Sequence, residues 1–161
     1  MKWTKLELRL VSPLLMWVIV AAGVALAMLH LPDRAVFPRN PYTGALLVPA
    51  VLNWLYFIVG GAKANRRAPR SAAAIQGVVT TGVYTKVRHP IYSADIFLAL
   101  GVFLFLPTLK IAVSAAWLTI VLLCWMKLEE AALLHRFGED YILYKARTPM
   151  LFPALFRRRG E

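Results

Sequence analysis

This 161-residue chain has a single cysteine, only eight acidic residues and no internal repeat. Cys124 alone excludes an intrachain disulfide and a cysteine-cluster metal site. Its place inside an apolar run predicts a packing role, since a free cysteine behaves as a small hydrophobe. No metal site is expected, and the residues offer no nucleophile–base–acid triad. Polar residues are scarce as well, with 60% of the chain hydrophobic. A water-soluble domain of this length leaves too much of its surface exposed to hide that share. The length predicts one domain, and the composition calls for a bilayer around it.

Four apolar stretches supply the membrane-crossing material: Pro13–Leu31, Ala45–Ala62, Ile91–Leu106 and Ile111–Leu128. Crossing ~30 Å of hydrocarbon takes about 20 helical residues. The first, second and fourth are long enough with some tilt, whereas the third is short and carries Asp95. Pro107 to Lys110 separate the third from the fourth, predicting a tight helical hairpin. The first stretch lacks a small-residue cleavage site before His30-Leu31-Pro32-Asp33, so it is expected to stay as a helix. The expected fold is an all-α polytopic membrane bundle of about four transmembrane helices plus a C-terminal interfacial helix. Within one membrane domain the expected parts are residues 1–65 (two helices), 66–90 (cytoplasmic loop), 91–128 (hairpin) and 129–161 (a cytoplasmic segment that covers the cofactor).

The net charge of +11 raises nucleic acid as a partner, but the placement of the cations argues against it. Sixteen of nineteen lysines and arginines fall on one side of a four-span topology, and only Arg34, Arg39 and Lys110 on the other. That is the positive-inside pattern, so both termini are assigned to the cytoplasm. The Arg157–Arg159 run suits anionic lipid headgroups.

Local signals refine this outline. Ser12-Pro13 reads as an N-cap followed by proline at the first helical position. The segment Pro32–Gly44 is expected to be irregular. Pro49 and Asn53 fall inside the second span and predict either a kink whose freed backbone groups a neighbouring helix satisfies, or an Asn53 that faces a cavity. Gly138 either ends a helix or weakens a longer one. His30 is expected at the opposite interface.

The densest chemistry lies in Thr81–Tyr92. A residue before proline is pushed out of the helical region, so His89 should be extended and Pro90 should open a helix. Arg88 and His89 then stand at that helix's N-terminus, which suits either an anionic ligand group or an Arg-His-Tyr interfacial anchor. Glu129 and Glu130 point about 100° apart on a helix, so one ligand engages one of them head-on. Glu130 has Lys127 three residues earlier as a partner, leaving Glu129 as the ligand-facing acid. Asp95 is costly against lipid and should turn inward, to Arg88, to His89 or to the site.

Together, Gly82-Val83-Tyr84, Arg88-His89-Pro90-x-Tyr92, Glu129-Glu130 and Phe137-Gly138-x-x-Tyr141-x-x-Tyr144 resemble the integral membrane methyltransferases. That group includes isoprenylcysteine carboxyl methyltransferases, phospholipid N-methyltransferases and bacterial thiol S-methyltransferases. The likeness covers roughly Val78 to Pro153. It implies S-adenosylmethionine as methyl donor, with Val78, Val79 and Tyr84 along the cofactor. Arg88, His89, Pro90, Ile91 and Tyr92 would form its cradle, and Glu129 and Glu130 would bind it. The implied partners are the bilayer and a lipophilic or small acceptor. The sequence departs from the family at Ala94, where glycine is common, and at Trp125, where prenylcysteine-specific enzymes carry an arginine. That second change argues against prenylcysteine as acceptor and leaves Trp125 and Arg147 as candidate substrate contacts. A sterol-type NADPH-dependent reductase and a non-catalytic membrane protein of the same fold are the competing readings.

Overall fold

The structure, a computed structural model, describes residues 12–64 and 77–153. Described residues form helices α1 (Pro13–His30), α2 (Pro41–Ala45), α3 (Leu47–Ala64), α4 (Pro90–Phe105), α5 (Leu109–Phe137) and α6 (Glu139–Arg147), with a 3-10 turn at Gly82–Thr85. The fold is an all-α membrane bundle. Of the expected cytoplasmic cations, Lys2, Lys5, Arg9, Arg66, Arg67, Arg70 and the Arg157–Arg159 run lie outside the described residues.

Helices α1, α2–α3 and α5 are long and apolar enough to cross a membrane, and α4 is a shorter apolar helix. At 1.5 Å per residue, the 29 residues of α5 rise about 43 Å, well beyond ~30 Å of hydrocarbon. Its last turns, with Glu129 and Glu130, therefore stand at or beyond one membrane face. Of the two outcomes expected at Gly138, the structure shows a helix end: α5 continues past the apolar stretch and stops there, and the φ of 52° suits glycine.

The helices follow the order α1–α5–α4–α3, with α1 packed on α5, α5 on α4 and α4 on α3. One seam of Met16, Val20, Val121, Leu122, Trp125 and Met126 joins α1 to α5 and meets Tyr92 of α4. Small residues bring backbones close. A Cβ on Gly101 would stand 2.6 Å from the Ala50 Cβ, so α3 and α4 approach where side chains are smallest. Outside these seams, Val48, Leu52 and Ile120 are exposed, as expected of side chains that meet lipid.

Four local expectations change. Ser12 holds the N-cap position of α1, but its hydroxyl makes no capping bond and its carbonyl takes the Met16 N–H instead. The segment Pro32–Gly44 is not wholly irregular: Asn40 Oδ1 accepts from Tyr42 N at 2.8 Å and starts α2. Pro49 falls in the first turn of α3, where no intrahelical N–H partner is needed, and the interruption sits earlier, at Leu46. Cys124 is exposed on the bundle's outer surface and does not pack inside it. His30 is exposed at the end of α1.

Beyond the turn after α4, Thr108 Oγ1 accepts from Ile111 N and opens α5. Val36 N donates to Pro107 O at 2.7 Å and Leu109 N to Arg34 O at 2.8 Å, tying the α1–α2 loop to the α4–α5 hairpin. At the other end of the bundle, Arg88 N donates to Pro149 O and His89 N to Met150 O. That lacing holds the segment after α6 against the start of α4.

Candidate functional site

The start of α4 is built as the sequence implies. His89 has φ −120° and ψ 66°, outside the helical region, and Pro90 opens the helix. Ser93 N donates to His89 O, and Ser93 Oγ to Leu151 O at 2.9 Å, so the turn is braced by the chain that follows α6.

A cavity of about 590 Å³ opens at this end of the bundle. Nine of the ten expected cofactor residues line it: Val78, Val79, Tyr84, Arg88, His89, Pro90, Ile91, Tyr92 and Glu129. Two other groups were not among the expected contacts, although Tyr141 and Tyr144 belong to the quoted motif and to the segment expected to cover the cofactor. Pro13, Leu14 and Trp17 of α1 and Ile58, Gly61 and Ala62 of α3 form an apolar side. Leu133, Tyr141 and Tyr144 close the C-terminal side. Leu133 lies one turn after Glu129 on the same face, a spacing that could have found it. Nothing in the sequence pairs α1 with α3.

The two adjacent acids have different surroundings. Glu129 lines the cavity, and its Oε1 accepts the Tyr92 hydroxyl at 2.7 Å. Its Oε2 is 3.8 Å from His89 Nδ1, and the imidazole stacks on the Tyr92 ring at 18°. Glu130 is off the wall and 4% exposed. Arg88 Nε donates to its Oε1 at 2.8 Å, Arg88 Nη2 is 2.6 Å from the same oxygen, and Lys145 Nζ is 3.0 Å from Oε2. His89 Nε2 stands 3.4 Å from Oε1. The expected Lys127 partner is exposed, and Glu130 pairs with Arg88 and Lys145 instead.

Arg88 links three elements. Its Nη1 donates to the carbonyls of Lys145 and Thr148, so one guanidinium joins the start of α4, the end of α5 and the end of α6. The Tyr144 hydroxyl donates to Tyr84 O at 2.8 Å, closing the same wall. Burial pushes both the Tyr141 and Tyr144 hydroxyls above the usual tyrosine range.

Three expected contacts lie elsewhere. Asp95 meets neither Arg88 nor His89; Trp54 Nε1 donates to its Oδ1 at 2.8 Å. Trp125 is buried in the α1–α5 seam behind Tyr92, not on the cavity wall. Arg147 is exposed at the end of α6 and does not line the cavity. Among the described residues there is no group of acidic, histidine or cysteine side chains suited to hold a metal.

Chemically, the cavity joins an apolar side to a polar end with one ligand-facing carboxylate and several aromatic faces. The family model described as phospholipid methyltransferase matches residues 71–140. The protein-S-isoprenylcysteine O-methyltransferase of Homo sapiens is 30% identical over 119 residues, which are 69% of this chain and 40% of that relative. The chain thus spans well under half the length of the relative it matches. No solved structure matches it. The match begins at residue 71, before the Arg88-His89-Pro90 helix start, and ends just beyond the Glu129-Glu130 pair, so the chain is similar to the integral membrane methyltransferases over the segment that carries most of its cavity residues.

Proposed function

We propose that this chain is an S-adenosylmethionine-dependent methyltransferase that acts on a lipid-soluble acceptor other than prenylcysteine. The observation that carries the reading is one cavity with an apolar side on α1 and α3 and a polar end at Tyr84, His89, Tyr92 and Glu129. Its volume of about 590 Å³ is within the range of small-molecule sites. The residues suit the cofactor: a carboxylate accepts hydrogen bonds from amine or hydroxyl groups, and aromatic faces suit a flat base or a sulfonium cation.

Bound there, the cofactor would supply a methyl group on a positively charged sulfur, whose charge falls as the methyl leaves. A dry site does not oppose that loss of charge. The chain's own residues orient and exclude water. Tyr92 fixes the Glu129 carboxylate through its hydroxyl, and the His89-Pro90 start holds the backbone beside it. Tyr141, Tyr144 and Leu133 cover the side toward α6. Alignment of donor and acceptor then supplies the larger part of the rate. The positive-inside charge pattern favours a cytoplasmic cavity and cytoplasmic termini. A soluble cofactor would then arrive from one phase and an apolar acceptor from the other.

Isothermal titration of the purified chain with S-adenosylhomocysteine and with NADPH tests the reading. Binding of S-adenosylhomocysteine that weakens in His89→Ala and Glu129→Ala is expected. Binding of NADPH alone would favour the reductase reading and overturn this one. Labelled-methyl transfer into prenylcysteines, aminolipids and thiols then identifies the acceptor.

A further inference from the structure

The strap that follows α6 is tied to the start of α4 through consecutive carbonyls. Thr148 O accepts from Arg88 Nη1, Pro149 O from Arg88 N, Met150 O from His89 N and Leu151 O from Ser93 Oγ. Met150 and Leu151 also pack on the seam that includes Tyr92. None of residues 148–152 lines the cavity, so the strap acts from behind three residues that do, Arg88, His89 and Tyr92.

The strap then follows α4 into its apolar stretch. His89, Ser93 and Phe97 are spaced four apart and share one face of that helix. The Phe152 ring meets Phe97 edge to face at 5.6 Å. Phe97 lies about 12 Å along α4 from His89, and both rings are exposed. Residues 150–156 are apolar without a charge, and Arg157–Arg159 follow at once. Arg157 stands five residues beyond Phe152, an extended reach of up to ~17 Å, enough to return from Phe97 to the membrane face. An apolar segment beside a basic run is a two-part signal for an anionic lipid surface.

We propose that residues 150–159 are a lipid-sensing latch: anionic headgroups bound by Arg157–Arg159 hold the strap on α4 and so order the Arg88-His89 turn of the cavity wall. The coupling follows from position. Only a strap laid along α4 brings Phe152 to Phe97, so lipid that holds the basic run favours that arrangement over a free one. By reciprocity, a ligand that orders the turn tightens the hold on lipid. The ligand's identity rests on the methyl-transfer reading, whereas the latch does not depend on it.

The test places the full chain in nanodiscs of phosphatidylcholine, alone or mixed equally with phosphatidylglycerol. Hydrogen exchange of the Arg88 and His89 amides reads the strap directly, because their donors bond Pro149 O and Met150 O. The dissociation constant of S-adenosylhomocysteine reads the cavity. Phosphatidylglycerol is expected to slow exchange at both amides and to tighten binding severalfold. The combined variant Arg157→Gln, Arg158→Gln, Arg159→Gln should lose both responses and keep the wild-type values in phosphatidylcholine. Ser93→Ala removes a strap bond without touching the cavity wall, and should speed exchange at both amides in either lipid. Should Ser93→Ala not fold, the triple variant alone carries the test. Equal exchange in the two lipids overturns the latch, and so does a triple variant that still responds to phosphatidylglycerol or a folded Ser93→Ala with unchanged exchange. Failure to bind S-adenosylhomocysteine in either lipid counts against the methyl-transfer reading alone, because amide exchange still decides the latch.

Discussion

The indole of Trp54 donates to Asp95 Oδ1 at 2.8 Å, so the one acid of α4 is held against α3 and away from lipid. The pair matters because α4 is short and its first turn forms the cavity wall. Trp54→Phe leaves a buried carboxyl without its donor and should destabilise the fold by about 1–3 kcal/mol. Adding Asp95→Leu removes the orphaned group and should recover most of that loss. Thermal unfolding of the three variants in detergent measures both effects, and a double variant no better than Trp54→Phe would contradict the pairing.

Arg88 and Lys145 both reach Glu130, but their environments differ. The Arg88 side chain is 8% exposed and that of Lys145 48%. Arg88→Ala should cost about 3–5 kcal/mol because it strands a buried charge. Lys145→Ala should cost less than about 1 kcal/mol, as for an exposed ion pair. Similar losses from the two, read by denaturant or thermal unfolding, would show that Glu130 is not anchored chiefly by Arg88.

Tyr92 is expected to act on the cofactor through Glu129. Tyr92→Phe keeps the ring stacked on His89 and removes only the hydroxyl that orients the carboxylate. Loss of a hydrogen bond to a carboxylate is worth about 1.5–3 kcal/mol, so binding of S-adenosylhomocysteine should weaken by about tenfold or more. Titration calorimetry reads this directly. Unchanged affinity would mean that Glu129 is positioned by other contacts.

Alkaline pH should loosen the cover formed by α6. Burial raises the Tyr141 and Tyr144 hydroxyls in the folded state above the ordinary tyrosine value of about 10. An unfolded chain therefore loses these protons first as pH rises. Their contribution is whole below about pH 10 and is lost progressively above it. Tyr141→Phe and Tyr144→Phe should each flatten the fall in stability above pH 10, measured by thermal unfolding across that range.

Much of the site was legible in the sequence because its chemistry is local. His89 before Pro90 fixes a helix start by steric exclusion, and Glu129 beside Glu130 must diverge on a helix. Partners across the fold were not legible. Asp95 could be read as inward-facing from the cost of a charge in lipid, but not as bonded to Trp54, forty-one residues away. Lys127 is near Glu130 in sequence, yet Arg88 and Lys145 hold it, because a buried acid takes the cations that packing brings to it.

The sequence by itself determined that this is a membrane chain, where its spans lie, and which short segment opens the polar end of a site. Hydrophobic length, positive charge on one side and proline geometry act along the chain, so no neighbour is needed to read them. Only the tertiary structure decided that α1 and α3, which the sequence does not pair, share one cavity with the start of α4. It also decided what holds the acid that faces away from that cavity: Arg88 and Lys145 pair with Glu130, where the sequence offered Lys127. Glu129 and Glu130 differ by one helical step, and the direction of each follows from how α4, α5 and α6 pack around Arg88.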